Sequence, residues 1–343
     1  MSAQSFNLGM DFLCARLHGL WSKAVQGDFL NELAESGTED NFLQLLARKG
    51  VAAAGDRGAQ FELGLKQREL ALYVRLSHQT TPAIARYLSS FIIEFDLGNL
   101  KILLNDRFFP EDRLRLDELL IPTPALAEVQ ARRLTDPEAF AAVLLPLPDQ
   151  AGTRDAIIAE LSASRDLTAA ENALDRLLAG RKLANAIALP ASCRPTALAL
   201  IRHEIDIQNI AIALRNITFY HFPPEILKNY LFDGGTIAEK ALVELANTHS
   251  ADELVSRLPA TYASLLADLH GQQLHHFENA LWTGLWRQAN AFFHDANAPQ
   301  NTLLAFPFLL RFETNNLVRA YEAVRFGLPA NELKKMLICA PLS

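Results

Sequence analysis

Apolar residues recur along this chain at steps of three and four, the spacing of one helix face, over most of its length. After Thr81-Pro82 the stripe runs Ile84, Leu88, Phe91, Phe95, Asn99, Ile102. After Pro195 it runs Leu198, Ile201, Ile205, Asn209, Ile212. After Pro307 it runs Leu309, Phe312, Asn316, then Arg319 or Ala320. Each predicts an amphipathic helix opened by a proline, which the first turn tolerates because its N–H would be unpaired there anyway. Phe12, Leu13, Leu17, Leu20 and Trp21 predict a first helix from about Phe6 to Ala24, followed by a short one over Thr38–Leu46. The pairs Thr135/Glu138, Thr168/Glu171, Thr236/Glu239 and Ser250/Glu253 all fit the S/T-x-x-E capping box. Alternating β-branched runs and Asn-Gly hairpins are missing, so the fold class is all-α.

The same polar residue interrupts each long stripe. Asn99, Asn209 and Asn316 each follow an acid by three positions (Asp96, Asp206, Glu313) and precede Leu or Ile; they stand 110 and 107 residues apart. A second mark has the same offset, since Glu171-Asn172-Ala173-Leu174 recurs 107 residues later as Glu278-Asn279-Ala280-Leu281. The chain therefore reads as a triplication, with units far longer than the 20 to 50 residues of solenoid repeats. Turn-forming residues cluster over 109–124 and 222–235, after the first two copies of the asparagine helix. This suggests three helical bundles over 1–115, 116–225 and 226–343. A buried amide left unpaired costs about 1–3 kcal/mol. Each asparagine is accordingly expected to bond a backbone turn on a neighbouring helix and fix packing register. The competing reading makes each acid and amide a ligand or metal site, although no histidine or cysteine accompanies all three.

Composition narrows the function classes. At 343 residues the chain suits two or three domains, and half of its residues are apolar. A net charge of −7 argues against a nucleic-acid partner. Cys14, Cys193 and Cys339 are widely spaced and odd in number, which suggests a reducing compartment rather than a disulfide framework. Met1 to Phe12 lacks the pattern of a signal peptide. No run of about 18 apolar residues exists, so the protein is expected to be soluble, any membrane link running through a partner.

Catalytic motifs are also missing. Asp233-Gly234-Gly235-Thr236 lacks the lysine and spacing of a phosphate loop, and neither G-x-G-x-x-G nor G-x-S-x-G occurs. His270 and His275 are five apart, not the four that zinc pairs on helices use, and His203-Glu204 is only half of H-E-x-x-H. No cofactor or metal is expected. Glu94, Asp96, Glu204 and Asp206 could supply acid–base pairs, but they recur with the repeat, as structural residues do.

Three spaced segments carry a family resemblance. Glu94-Phe95-Asp96-Leu97-Gly98-Asn99-Leu100-Lys101 resembles a D-x-x-N-L-K signature, Glu204 to Arg215 a D-I-x-N-x-x-x-x-L-R signature, and Glu313 to Arg319 with Gly327-Leu328-Pro329 the closing segment of the C-type subunit of archaeal and bacterial V-type (A/V-type) ATPases, the relative of the eukaryotic d-type subunit. Ala15 to Lys23 is similar to that family's first helix. Leu104-Asn105 departs from its usual L-R pair, and His18 from a commonly basic position. The resemblance implies three similar bundles about a pseudo-threefold axis, forming a funnel. It implies a non-catalytic central-stalk rotor subunit that seats the shaft (D/F-type subunits) on the membrane proteolipid ring and transmits torque for proton or sodium transport. Such a protein would be cytoplasmic and peripheral to the membrane, held by polar and charged contacts without direct lipid insertion. The alternatives are an all-helical soluble enzyme using Asp96 or Asp206, or a generic helical adaptor.

Overall fold

Helices supply the regular structure throughout the described residues, which in this computed structural model are 3–51, 57–108, 116–133, 136–144 and 167–338. In chain order they are α1 (Ala3–Trp21), α2 (Asp28–Ala34), α3 (Glu39–Lys49), α4 (Ala59–Ser77), α5 (Pro82–Phe108), α6 (Leu116–Leu119), α7 (Pro124–Ala131), α8 (Pro137–Leu144), α9 (Leu167–Ile187), α10 (Arg194–Arg215), α11 (Pro224–Leu227), α12 (Glu239–Ala246), α13 (Ala251–Arg257), α14 (Ala260–Leu266), α15 (Leu274–Phe293), α16 (Gln300–Arg325) and α17 (Ala330–Met336). The all-α expectation is met. Short helices and then a long pair recur: α2, α3, then α4 and α5; α7, α8, then α9 and α10; α12 to α14, then α15 and α16.

Local chemistry sets many of the helix starts. Thr38 Oγ1 accepts the Asn41 N–H at 3.3 Å to open α3, and Thr123 Oγ1 accepts that of Leu126 at 3.1 Å to open α7. At α13 the capping box is complete: Ser250 Oγ accepts the Glu253 N–H at 3.1 Å, and Glu253 Oε2 reaches back to the His249 N–H at 2.9 Å. Two other boxes are used differently. The cap of α12 is Ala238, because Thr236 is drawn away to a buried carboxylate. Thr168 lies inside the first turn of α9, and Thr135 falls outside the described residues. The first helix ends at Trp21, short of Ala24.

Pro82 and Pro195 open α5 and α10 as their positions predict, but Pro307 does not open a helix. α16 starts seven residues earlier, at Gln300, and runs through the proline. Interior proline forfeits a backbone hydrogen bond. Here the whole stretch from Asn301 to Leu310 is buried, so side-chain packing holds the turn that the missing N–H would have supported.

The chain divides into two compact units, one formed by residues 1–55 and 186–343 and the other by 56–185. In the unit of 56–185, α5, α7, α8 and α9 enclose a core of Leu97, Leu100, Leu104, Leu126, Val129, Phe140, Leu174 and Leu178. Removing such side chains from water is worth about 1.5–3 kcal/mol each. In the unit of 1–55 and 186–343, α15 and α16 pack as an antiparallel pair against α10, and α1 lies along α16. Leu281, Leu285, Phe293, Phe306 and Phe308 are fully buried there.

Candidate functional site

The three asparagines make the same bond pattern. Asn99 donates from Nδ2 to the Ile121 carbonyl at 2.7 Å and accepts the Ile121 N–H at Oδ1, 2.8 Å. Asn209 does this with Phe232, at 2.9 and 2.7 Å, and Asn316 with Ile338, at 2.7 and 2.8 Å. A planar amide thus substitutes for one strand of a β-ladder, pairing both peptide groups of a single residue. Each partner lies outside regular secondary structure just after a short helix (α6, α11 or α17), where the sequence suggested a backbone turn on a neighbouring helix. The asparagines and their partners are all buried. We refer to each arrangement as a clasp.

The acids three residues earlier reach the segments that lead into short helices. Asp206 accepts from the Thr236 N–H at 2.8 Å and the Ile237 N–H at 3.2 Å, from the Thr236 hydroxyl, and from the Tyr262 hydroxyl at 2.7 Å. Burial, and after it this carboxylate, pushes the Tyr262 phenol's pKa up, keeping it a donor. Glu313 accepts the Val25 N–H at 2.8 Å, ahead of α2. Asp96 faces Thr123, ahead of α7; desolvation drives its pKa up to about 6, and the Thr123 side chain offsets this only in part. Its Oδ1 is buried and without a hydrogen-bond partner. The first acid therefore meets the start of the second set of short helices, the second acid the start of the third, and the third acid returns to the start of the first.

Charges two positions before these acids are tied down as well. Glu94 pairs with Lys182 at 2.9 Å, and Glu204 with Arg311 at 2.7 Å. The Arg311 guanidinium also lies over the Phe308 ring, at 5.3 Å. Repetition made the acids and asparagines visible in the sequence. Their partners Thr236, Tyr262, Val25, Lys182 and Arg311 were missed. Only the constant spacing of 22 or 23 residues from each asparagine to Ile121, Phe232 and Ile338 could have found the clasp partners.

A family model described as ATP synthase (C/AC39) subunit matches residues 13–336. The chain belongs to this family. It is the family of V/A-type ATP synthase C/d subunits, which are accessory and not catalytic, and membership makes this chain part of a V-type ATPase complex. No curated protein matches the sequence in direct comparison.

The remaining chemistry of this C/AC39 subunit is occupied by its own packing. The turn at Asp233–Thr236 wraps the Asp206 carboxylate, filling the place where a phosphate loop would hold its anion. Gly235 is required at that point because a Cβ would collide with Asp206 Oδ1. His203 is buried with Nδ1 at 2.8 Å from Gln288 Oε1 and its ring edge-on to Tyr262; desolvation lowers its pKa, so it is neutral. His270 meets Asp252 at 3.1 Å on the surface, while the His275 and His276 rings lie against each other, tilted by 41°. Among the described residues no cluster of three histidine, cysteine or acidic side chains could hold a metal ion. Burial raises the Cys14 thiol to about 11 and raises that of Cys193 as well, so neither is a ready nucleophile. Among those residues, too, no helix is long and apolar enough to cross a membrane.

Proposed function

We propose that this C/AC39 subunit is the non-catalytic rotor element that couples the central shaft of a V-type ATPase, its D/F-type subunits, to the membrane proteolipid ring and transmits torque between them. The observation that carries this reading is the threefold recurrence of the clasp together with acids that join each set of short helices to the next and the last to the first. A torque element must not yield under load. Buried, doubly bonded amides at equivalent places along the chain provide that stiffness, because opening any clasp exposes two unpaired backbone groups. On this reading the bundles are the repeats 1–115, 116–225 and 226–343 arranged as a pseudo-threefold funnel, with Asp96, Asn99, Asp206, Asn209, Glu313 and Asn316 as its structural signature. The protein sits at the membrane surface through its complex.

Reconstitution tests this. Complexes assembled without the subunit should lose ATP-driven ion transport while the catalytic head continues to hydrolyse ATP, and adding the purified chain should restore coupling. Full transport without the chain would refute the proposal.

A further inference from the structure

Two of the exposed aromatic residues, which also include Phe12 and Tyr220, share one register of the repeat. Phe219 and Phe326 each stand ten residues after their clasp asparagine, and they are 63% and 76% exposed. Isolated surface apolar residues are commonplace, but here each phenylalanine has company. Tyr220 is exposed next to Phe219 in the chain, and Leu328 two residues after Phe326.

Both corners are preformed. α10 ends in a π-helical turn, Asn216–Tyr220, closed by His221 at φ 52. Non-glycine residues seldom adopt that conformation, and π turns concentrate at functional positions. Asn216 Oδ1 holds the Phe222 N–H at 2.8 Å, and the rings of Tyr220, Phe222 and Tyr230 stack in sequence at 5.3 and 5.4 Å. At the other corner Gly327 closes α16 at φ 69, and the Leu328 N–H bonds the Ala323 carbonyl at 2.8 Å. The Arg325 guanidinium lies 4.8 Å from the Phe326 ring centroid. Ordering a segment on binding costs conformational entropy, which a preformed backbone turn avoids.

The flanking cations are paired. Arg215 pairs with Glu278 at 2.8 Å, Arg325 with Glu322 at 2.8 Å, Lys334 with Glu35 at 2.6 Å and Lys335 with Glu332 at 2.9 Å; Lys228 faces Glu239 at 4.0 Å. A surface built for anionic lipid or nucleic acid keeps its cations free. These corners offer exposed rings beside cations that are already paired, which complements a neutral, apolar polypeptide.

We propose that Phe219 and Phe326 are the docking contacts of this protein for an oligomeric partner whose identical copies present a neutral apolar turn at successive positions. Resting on the coupling role above, this partner is the membrane ring of identical subunits. The contact differs from the polar and charged attachment expected above, since salt screens charged contacts but not apolar burial.

The test measures binding of the full chain to detergent-solubilised ring and, separately, to the shaft subunits, for wild type, Phe219→Ala, Phe326→Ala and the double variant. Each single change should weaken ring binding about tenfold, the usual effect of truncating an aromatic anchor. The double variant should lose more, equally at low and high salt, with shaft binding and melting temperature unchanged. If an alanine variant melts early, Phe219→Gln and Phe326→Gln replace it, keeping side-chain bulk at the exposed sites. Wild-type ring affinity in the double variant, or a loss confined to the shaft, would overturn the assignment and leave the coupling role intact. Wild-type binding to neither ring nor shaft would refute the coupling role itself. Flotation of wild type, but not the double variant, with protein-free vesicles would make lipid the occupant and overturn the proposal.

Discussion

Asn99 and Asn209 are single side chains that each satisfy two buried backbone groups, so replacing them should act on stability before anything else. Asn99→Leu strands the N–H and carbonyl of Ile121, and Asn209→Leu those of Phe232. Each stranded group costs about 1–3 kcal/mol. Thermal melts should show a clear fall in Tm for both variants; wild-type melting would mean that the clasps do not hold the fold. Asp96 is the weak member of its set, with one oxygen unpaired where Asp206 has four donor groups around it. Its folded pKa, about 6, lies above the ordinary 3.8. Protonated Asp96 therefore favours the fold, a contribution complete below pH 3.8 and lost as pH rises through 6. Asp96→Asn removes that dependence. The variant should gain over wild type as pH climbs from 4 to 7, by about 3 kcal/mol at most, in denaturant titrations at a series of pH values. A gap that is constant across this range would contradict the raised pKa.

At the scale of elements, the turn between α11 and α12 depends on a missing side chain. Gly235→Ala would drive a methyl group into Asp206 Oδ1, displacing the carboxylate from Thr236, Ile237 and Tyr262. Overpacking of this kind costs about 1–3 kcal/mol. Tyr262→Phe removes one donor and leaves the backbone donors in place, so it should cost less, about 1 kcal/mol. Urea denaturation of the two variants gives the order; the reverse order would shift the weight of this turn from the backbone N–H groups to the phenol. Most helix positions could be read locally because they depend on short-range signals: the proline ahead of α5 and α10, the Ser250 box at α13 and the stripe around each asparagine. The failures have tertiary causes. Thr236 leaves the cap of α12 to serve Asp206, and Pro307 is overridden by the burial of the ten residues from Asn301 to Leu310.

For the molecule as a whole, the family places the chain in an ATP-driven complex, but among the described residues its turns hold no nucleotide cradle. The only glycine pair beside a threonine, Gly234-Gly235-Thr236, is filled by Asp206. Titration calorimetry of the isolated chain with Mg-ATP should therefore show no saturable heat. A stoichiometric micromolar signal would favour an enzyme using the repeat acids. The sequence by itself determined the helical class, the repeated acid and asparagine, and the resemblance that the family match supports, because periodicity and spacing survive in a one-dimensional string. It could not supply the other half of each interaction. Ile121, Phe232 and Ile338 contribute only peptide groups, which any residue type carries, so nothing in their identity marks them. The return of Glu313 to Val25 spans 288 positions, and nothing short of folding brings a glutamate and a backbone N–H that far apart into one bond. The tertiary structure alone decided that Asp206 is fully satisfied while Asp96 is not, since burial and donor count depend on what packs around a side chain rather than on which side chain it is.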